Sequence, residues 1–319
     1  MPDLRALPKA ELHLHFEAAT SPETAAELAD RYGLPMPEQG PFQDLSEFVV
    51  AYGRARDIVG SLEDLYRLGR ELGARQREAG VVWTECHFVP ATYAGRLGPD
   101  DALVEAVLEG LRCGGGRGHA GLVIGINRGL PLDQAERMLD LALRWAGRGV
   151  VALGLAGDEA HHPAPAFADL FDRAAAAGLP AVPHAGEGLG PESVRDTVDL
   201  LSPSRICHGV RAPEDPDVVR LLAERRICLD MAPTSNVLLG VVPELAKHPM
   251  PELLRAGVPV SLNSDIPLFV GSGVLEEYER CIAAWDLTDE EVFTIARTSL
   301  EHSFCPDQVR TAALGDLSA

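Results

Sequence analysis

The sequence predicts a (β/α)8 TIM barrel with a helical insertion after its first strand, and three observations carry that expectation. Eight short segments read as strands, most of them near-continuous apolar runs, as strands covered on both faces do. Between them lie helical stretches with apolar residues at three- and four-residue steps. The polar residues able to do chemistry fall at the carboxyl ends of strands, the face on which such barrels carry their sites. Eight alternations over 319 residues favour this barrel above a doubly wound sheet.

The elements follow in order. The first strand is "AELHLHF" (10–16). Residues 17–80 are too many for one crossover helix, and they contain three helical stretches: 21–33, with Ser21 as N-cap and Gly33 as C-cap, then 44–59 and 62–80. A helical insertion over the barrel mouth is the simplest account. The second strand is "VVWTECHF" (81–88), and the third is "GLVIGIN" (121–127). Just before it, "CGGGRGHAG" (113–121) has no following Lys-Ser/Thr, so it reads as a flexible connection and not as a phosphate loop. Helix 133–148 leads to strand 150–156, helix 166–178 to strand 180–184, and strand 205–210 is followed by helix 216–226. Strands 226–232 and 258–264 complete the set. Residues 1–308 are expected to form a single (β/α)8 barrel domain, and 309–319 a loosely held tail.

Composition narrows the function. With 46% apolar and 24% charged residues the chain can bury a large core. A formal charge of −20, with Lys9 and Lys247 as the two lysines, argues against a nucleic-acid backbone or an anionic membrane as partner and favours a small molecule. The opening residues have no apolar run of signal-peptide length and no later segment has the length of a membrane span, so the expected compartment is cytoplasmic. Six scattered cysteines without a C-x-x-C pair read as reduced thiols. Assembly as a homo-oligomer is left open.

Histidine placement is the strongest signal. His13 and His15 are two apart on a strand, so both imidazoles leave the same face. His184 ends the fifth strand with Glu187 three residues on, His208 ends the sixth, and Asp265 ends the eighth. His13, His15, His184 and Asp265 make a nitrogen and oxygen donor set that suits Zn2+ best, with Fe2+, Co2+ or Mn2+ as alternatives. A divalent ion there would lower the pKa of a bound water toward about 7, the outline of a hydrolase site. No G-x-S-x-G is present, Cys207 and His208 leave opposite faces of their strand, and the H-x-E with P-C-x-x-C signature of cytidine-type deaminases is absent.

The ordered set "LPKAELHLHFEAATSPET", "GLAGDE" (154–159), "HAGE" (184–187), "HGV" (208–210), "PTSN" (233–236) and "SLNSD" (261–265) resembles the adenosine deaminase family of the amidohydrolase superfamily over nearly the whole chain. The resemblance implies zinc held by His13, His15, His184 and Asp265, with His15 also beside the substrate. It makes Glu187 the proton donor to the ring nitrogen next to the amine-bearing carbon. His208 would orient the attacking hydroxide, Asp265 would accept a proton from the water, and Gly157 would offer a backbone contact to the purine edge. Glu17 falls where the family places an acid near the sugar's 5′ end.

Three departures bear on substrate. Ile266 stands where the family usually has a second acid that hydrogen-bonds the purine N7, Ala18 replaces a glycine, and His87 replaces an arginine. Losing one buried hydrogen bond costs about 1–3 kcal/mol, enough to disfavour an ordinary purine against a ring with an apolar edge. The expected function is therefore a metal-dependent hydrolytic deaminase releasing ammonia from an aminated purine nucleoside or a related aminated heterocycle. Two alternatives are another C–N or amide hydrolase of the superfamily and a binding protein that has lost turnover.

Overall fold

The computed structural model describes residues 2–40, 42, 45–116 and 118–317. Eight strands run in the order β1 (Lys9–His15), β2 (Val81–Phe88), β3 (Ala120–Asn127), β4 (Val150–Ala156), β5 (Ala181–Ala185), β6 (Arg205–His208), β7 (Cys228–Met231) and β8 (Val260–Leu262). Each pairs in parallel with the next. Their residues are buried almost throughout, because helices cover the outer face and side chains fill the inner one.

The ring closes between β1 and the residues just after β8. The Asp265 amide donates to the His13 carbonyl at 3.1 Å, and the His15 amide donates to the Asp265 carbonyl at 2.9 Å. Below this bridge the Asn263 side-chain oxygen accepts from the amides of Leu12 (2.8 Å) and His13 (3.2 Å). Inside the barrel Arg205 donates through Nε to Asp230 at 2.8 Å and through Nη2 to Glu85 at 2.5 Å, all three side chains being fully buried. The two carboxylates balance a guanidinium that could not otherwise be buried without heavy cost.

The residues between β1 and β2 do two jobs. Helix Leu62–Glu78 is the crossover that packs beside the barrel, whereas helix Leu45–Asp57 brings Tyr52 to the mouth, 5.9 Å from the His15 ring between centroids. Helix Pro22–Tyr32 begins at Ser21, whose hydroxyl accepts from the Thr24 amide, and ends at Gly33 in the left-handed conformation, as the sequence indicates.

Two expectations are corrected. The stretch 113–121 is not simply a flexible connection, because Cys113, Gly114 and Gly115 complete helix Asp100–Gly115. Its glycines let that helix lie directly on helix Leu62–Glu78: a Cβ on Gly110 would sit 2.2 Å from the Tyr66 carbonyl oxygen, and one on Gly114 would sit 1.9 Å from that of Arg70. Of the expected tail 309–319, residues 309–317 are not loose either, and 318–319 lie outside the described residues. Residues Asp307–Asp316 form a helix whose buried Ala313, with Val309, Leu314 and Leu317, packs on Leu12 and Trp83. The apolar stripe was too short to separate from a frayed end by periodicity. Among the described residues no helix is long and apolar enough to cross a membrane, and all six cysteines are unpaired.

Candidate active site

β1 sends His13 and His15 to the inner face, β5 carries His184 at its penultimate position, and Asp265 follows β8. The His184 Nε2 atom lies 3.2 Å from His13 Nε2 and 3.1 Å from His15 Nε2, and Asp265 Oδ1 lies 3.3 Å from both. A tetrahedral ion with bonds of about 2.0–2.1 Å would set its ligands about 3.3–3.4 Å apart, and these four separations are close to that spacing. The His13 Nδ1–H donates to the Asp230 carbonyl at 3.0 Å, which leaves the Nε2 lone pair facing the other donors. Burial lowers His15 to about 4 and His184 well below the ordinary imidazole range, so both are neutral at physiological pH, as metal ligation would require. Burial opposes ionisation of Asp265, but the neighbouring His13 and His15 hold its carboxyl well below the usual range. Its second oxygen accepts from the Ser235 hydroxyl at 2.6 Å.

His208 and Asp265 both have non-glycine left-handed backbone, with φ of 68° and 57°. Such strain, of order 1–3 kcal/mol each, is retained where the surroundings dictate it. A chain of donors then fixes the His208 ring. The Met250 amide donates to His248 Nδ1 (3.2 Å), so His248 carries its proton on Nε2 and donates it to Asn236 Oδ1 (3.2 Å). The Asn236 amide nitrogen therefore faces His208 Nδ1 (3.1 Å) and donates to it, leaving the His208 proton on Nε2. Burial drops both His208 and His248 to about 3, so neither is charged at neutral pH.

The His208 Nε2 atom is 3.4 Å from Glu187 Oε2, and Glu187 Oε1 is buried with no hydrogen-bond partner among the described residues. Burial, reinforced by the negative charges of Asp265 and Glu159, pushes the Glu187 carboxyl up to about 8. It is a carboxylic acid at neutral pH, placed beside a donor set for a divalent ion.

The remaining residues singled out by sequence are placed as follows. Gly157 follows β4, exposed, with φ of 101° that a side chain would strain. Ile266 is buried in an apolar group with Leu268 and Phe269 directly after Asp265. Glu17 is buried, and its oxygens accept from the hydroxyls of Tyr52 and Tyr93, each at 2.8 Å. Ala18 is fully buried in the turn after β1. His87 sits at the end of β2 with its ring centroid 5.4–5.5 Å from those of His13, His15 and His184, and its Nε2 is 3.7 Å from the Cys207 thiol. Sequence reasoning quoted "PTSN" and "GLAGDE" but gave Ser235, Asn236 and Glu159 no task, and it passed over His248 and Asp230 altogether. Position within those motifs was the available signal.

The model of the family described as "Adenosine deaminase" matches residues 8–318. The chain belongs to the adenosine deaminase family. It is 38% identical over 333 residues to a Streptomyces virginiae protein with a provisional adenosine/adenine deaminase name, covering 99% of this chain and 97% of that one. It is 34% identical to the adenine deaminase of Pseudomonas savastanoi pv. phaseolicola, covering 93% and 97%. The crystal structure of an adenine deaminase from Arthrobacter aurescens superposes with a TM-score of 0.90 at 31% identity, covering 98% of both chains. Family membership makes this chain a hydrolase of the type that acts on C–N bonds in cyclic amidines.

Proposed function

We propose that the protein is a divalent-metal-dependent deaminase that hydrolyses the exocyclic amine of a purine base or a closely related aminated heterocycle, with zinc as the favoured ion. The observation that carries this reading is the Glu187 carboxyl, 3.4 Å from His208 Nε2, beside the clustered donors of His13, His15, His184 and Asp265. The ion, when bound, supplies a Lewis acid that makes water nucleophilic at neutral pH.

The chain's own residues account for the proton movements. Water adds to the amine-bearing carbon only if the adjacent ring nitrogen is protonated as the nucleophile arrives, and Glu187 gives that proton. His208, with its proton fixed on Nε2, hydrogen-bonds the attacking oxygen and orients it. Asp265 takes the proton the water loses and returns it to the departing amine. The tetrahedral adduct then collapses to the ring carbonyl and ammonia, and its hydroxyl proton restores Glu187. Gly157, with its backbone exposed beside β4, serves the ring edge, and His15 lies against the substrate as well as in the donor set.

One feature favours a base over a nucleoside, and a second bears on the ring itself. Both Glu17 oxygens are occupied by tyrosine hydroxyls, which leaves that acid poorly placed to accept from a sugar. Ile266 offers no group to the N7 position, so a ring with an apolar or already satisfied edge there fits best. The partner is thus a small aminated ring, not a polymer. The test is ammonia release by zinc-loaded protein from adenine, adenosine, N6-substituted adenines and aminopterins. The expected result is turnover of at least one free base ahead of adenosine. If no aminated ring yields ammonia while amide or other C–N substrates are cleaved, the deaminase reading fails.

A further inference from the structure

Four consecutive amides in the loop after β5 converge on one buried side chain. The Glu159 carboxylate accepts from the amides of Gly186 (2.7 Å), Glu187 (3.2 Å), Gly188 (2.8 Å) and Leu189 (3.0 Å), and from the Ser193 hydroxyl. Glu159 is 4% exposed and arrives from the loop after β4, so it ties together two loops on the reactive face of the barrel. Arg128, close enough to feel the Glu159 charge, is buried and donates to the His162 carbonyl at 2.8 Å and to the His184 carbonyl at 2.5 Å. Gly186 has φ of 67°, and a Cβ there would lie 2.4 Å from Val194, so this loop has a backbone course that few sequences adopt unaided.

We infer that Glu159 is a positioning residue for the reaction: by gathering the amides of residues 186–189 it fixes where the Glu187 carboxyl meets the substrate ring. This rests on the proposed role of Glu187 as proton donor. A single carboxylate is needed because both of its oxygens must accept, Oε1 from Gly186 and Ser193 and Oε2 from the next three amides. Glutamine keeps the shape but turns an NH2 group toward one of these donor sets. The loop must then shift, and a displacement of about 1 Å at a reacting group costs on the order of 100-fold in rate.

The experiment compares wild-type, Glu159→Gln and Glu159→Ala proteins, each loaded with zinc and checked for metal content and melting temperature. Adenine serves as the probe, assayed well below the melting point. The expected result is a kcat lowered by about 100-fold in Glu159→Gln, KM within threefold of wild type, full metal content, and faster amide hydrogen exchange in the peptide spanning 185–190. If Glu159→Ala does not fold, Glu159→Gln alone decides. A Glu159→Gln protein with lower melting temperature but unchanged kcat would reduce Glu159 to a stability element and overturn the inference. A rise in KM at constant kcat would overturn it too. Wild-type protein that releases no ammonia from adenine or any ring of the wider panel would instead bring down the proposed function, and with it the positioning role.

Discussion

Replacing Asn236 with leucine keeps the branched outline and heavy-atom count of the side chain but removes the amide that stands between His248 and His208. Two hydrogen bonds go, at 3.2 and 3.1 Å, and both surviving partners are buried imidazoles. An orphaned buried polar atom costs about 1–3 kcal/mol. At His248 that cost falls on stability alone. At His208 nothing then holds the proton on Nε2, and the tautomer protonated on Nδ1 turns a lone pair toward the attacking oxygen where the proposed mechanism needs a donor. The same 1–3 kcal/mol then appears in the barrier, or about 5- to 160-fold in kcat at 1.36 kcal/mol per factor of ten. The assay is ammonia release in a coupled spectrophotometric reaction, normalised to bound zinc. His248→Phe preserves the stacking on Trp285 but frees the Asn236 amide to turn, so its loss should be smaller than that of Asn236→Leu. Folded, metal-loaded Asn236→Leu with kcat within twofold of wild type would refute the reasoning that the donor chain sets the His208 proton.

Other perturbations probe neighbouring parts of the site. Because Glu187 must be protonated to act and its carboxyl stands at about 8, kcat/KM should be full below that pH and fall as pH rises through it, and a pH profile without this alkaline limb would remove Glu187 as the acid. Ser235→Ala deletes the hydroxyl that holds Asp265 and should weaken zinc retention by about 10- to 100-fold in chelator competition. Ile266→Asp should raise activity on adenosine relative to wild type; no gain, with fold and metal intact, strikes Ile266 from the specificity determinants. Arg205→Met leaves Glu85 and Asp230 buried without their cation and should cost about 3–5 kcal/mol, which at roughly 2.1 cal/mol/K per residue over this chain is a fall of about 4–8 °C in melting temperature.

What could be read in the sequence was what a strand's two-residue period carries directly. His13 and His15 share a face because of their spacing, and His184, His208 and Asp265 lie at strand ends because an apolar run stops there. The supporting residues follow no such rule. Glu159 reaches the 186–189 amides across two loops, and His248 acts on His208 only through Asn236, so their roles depend on backbone courses that no local pattern encodes. The glycines of 110–115 show the same limit: as isolated letters they signal a break, and only Gly69 and Gly73 on the facing helix reveal them as a contact surface. The resemblance located Glu17 but not Tyr52 and Tyr93, whose hydroxyls change what that acid can accept.

The closure of the barrel at Asp265 has a consequence for inheritance. One residue offers the proposed ligand through its side chain and the last β1 fastening through its peptide group. A descendant that gives up metal chemistry is free to change the carboxylate, but it must still place a left-handed residue at this position to keep the ring shut. Asparagine, which tolerates that conformation, is the cheapest exit. Loss of activity in this lineage should therefore leave a recognisable trace: a closed barrel with an amide where the acid stood, in place of a random scatter of substitutions.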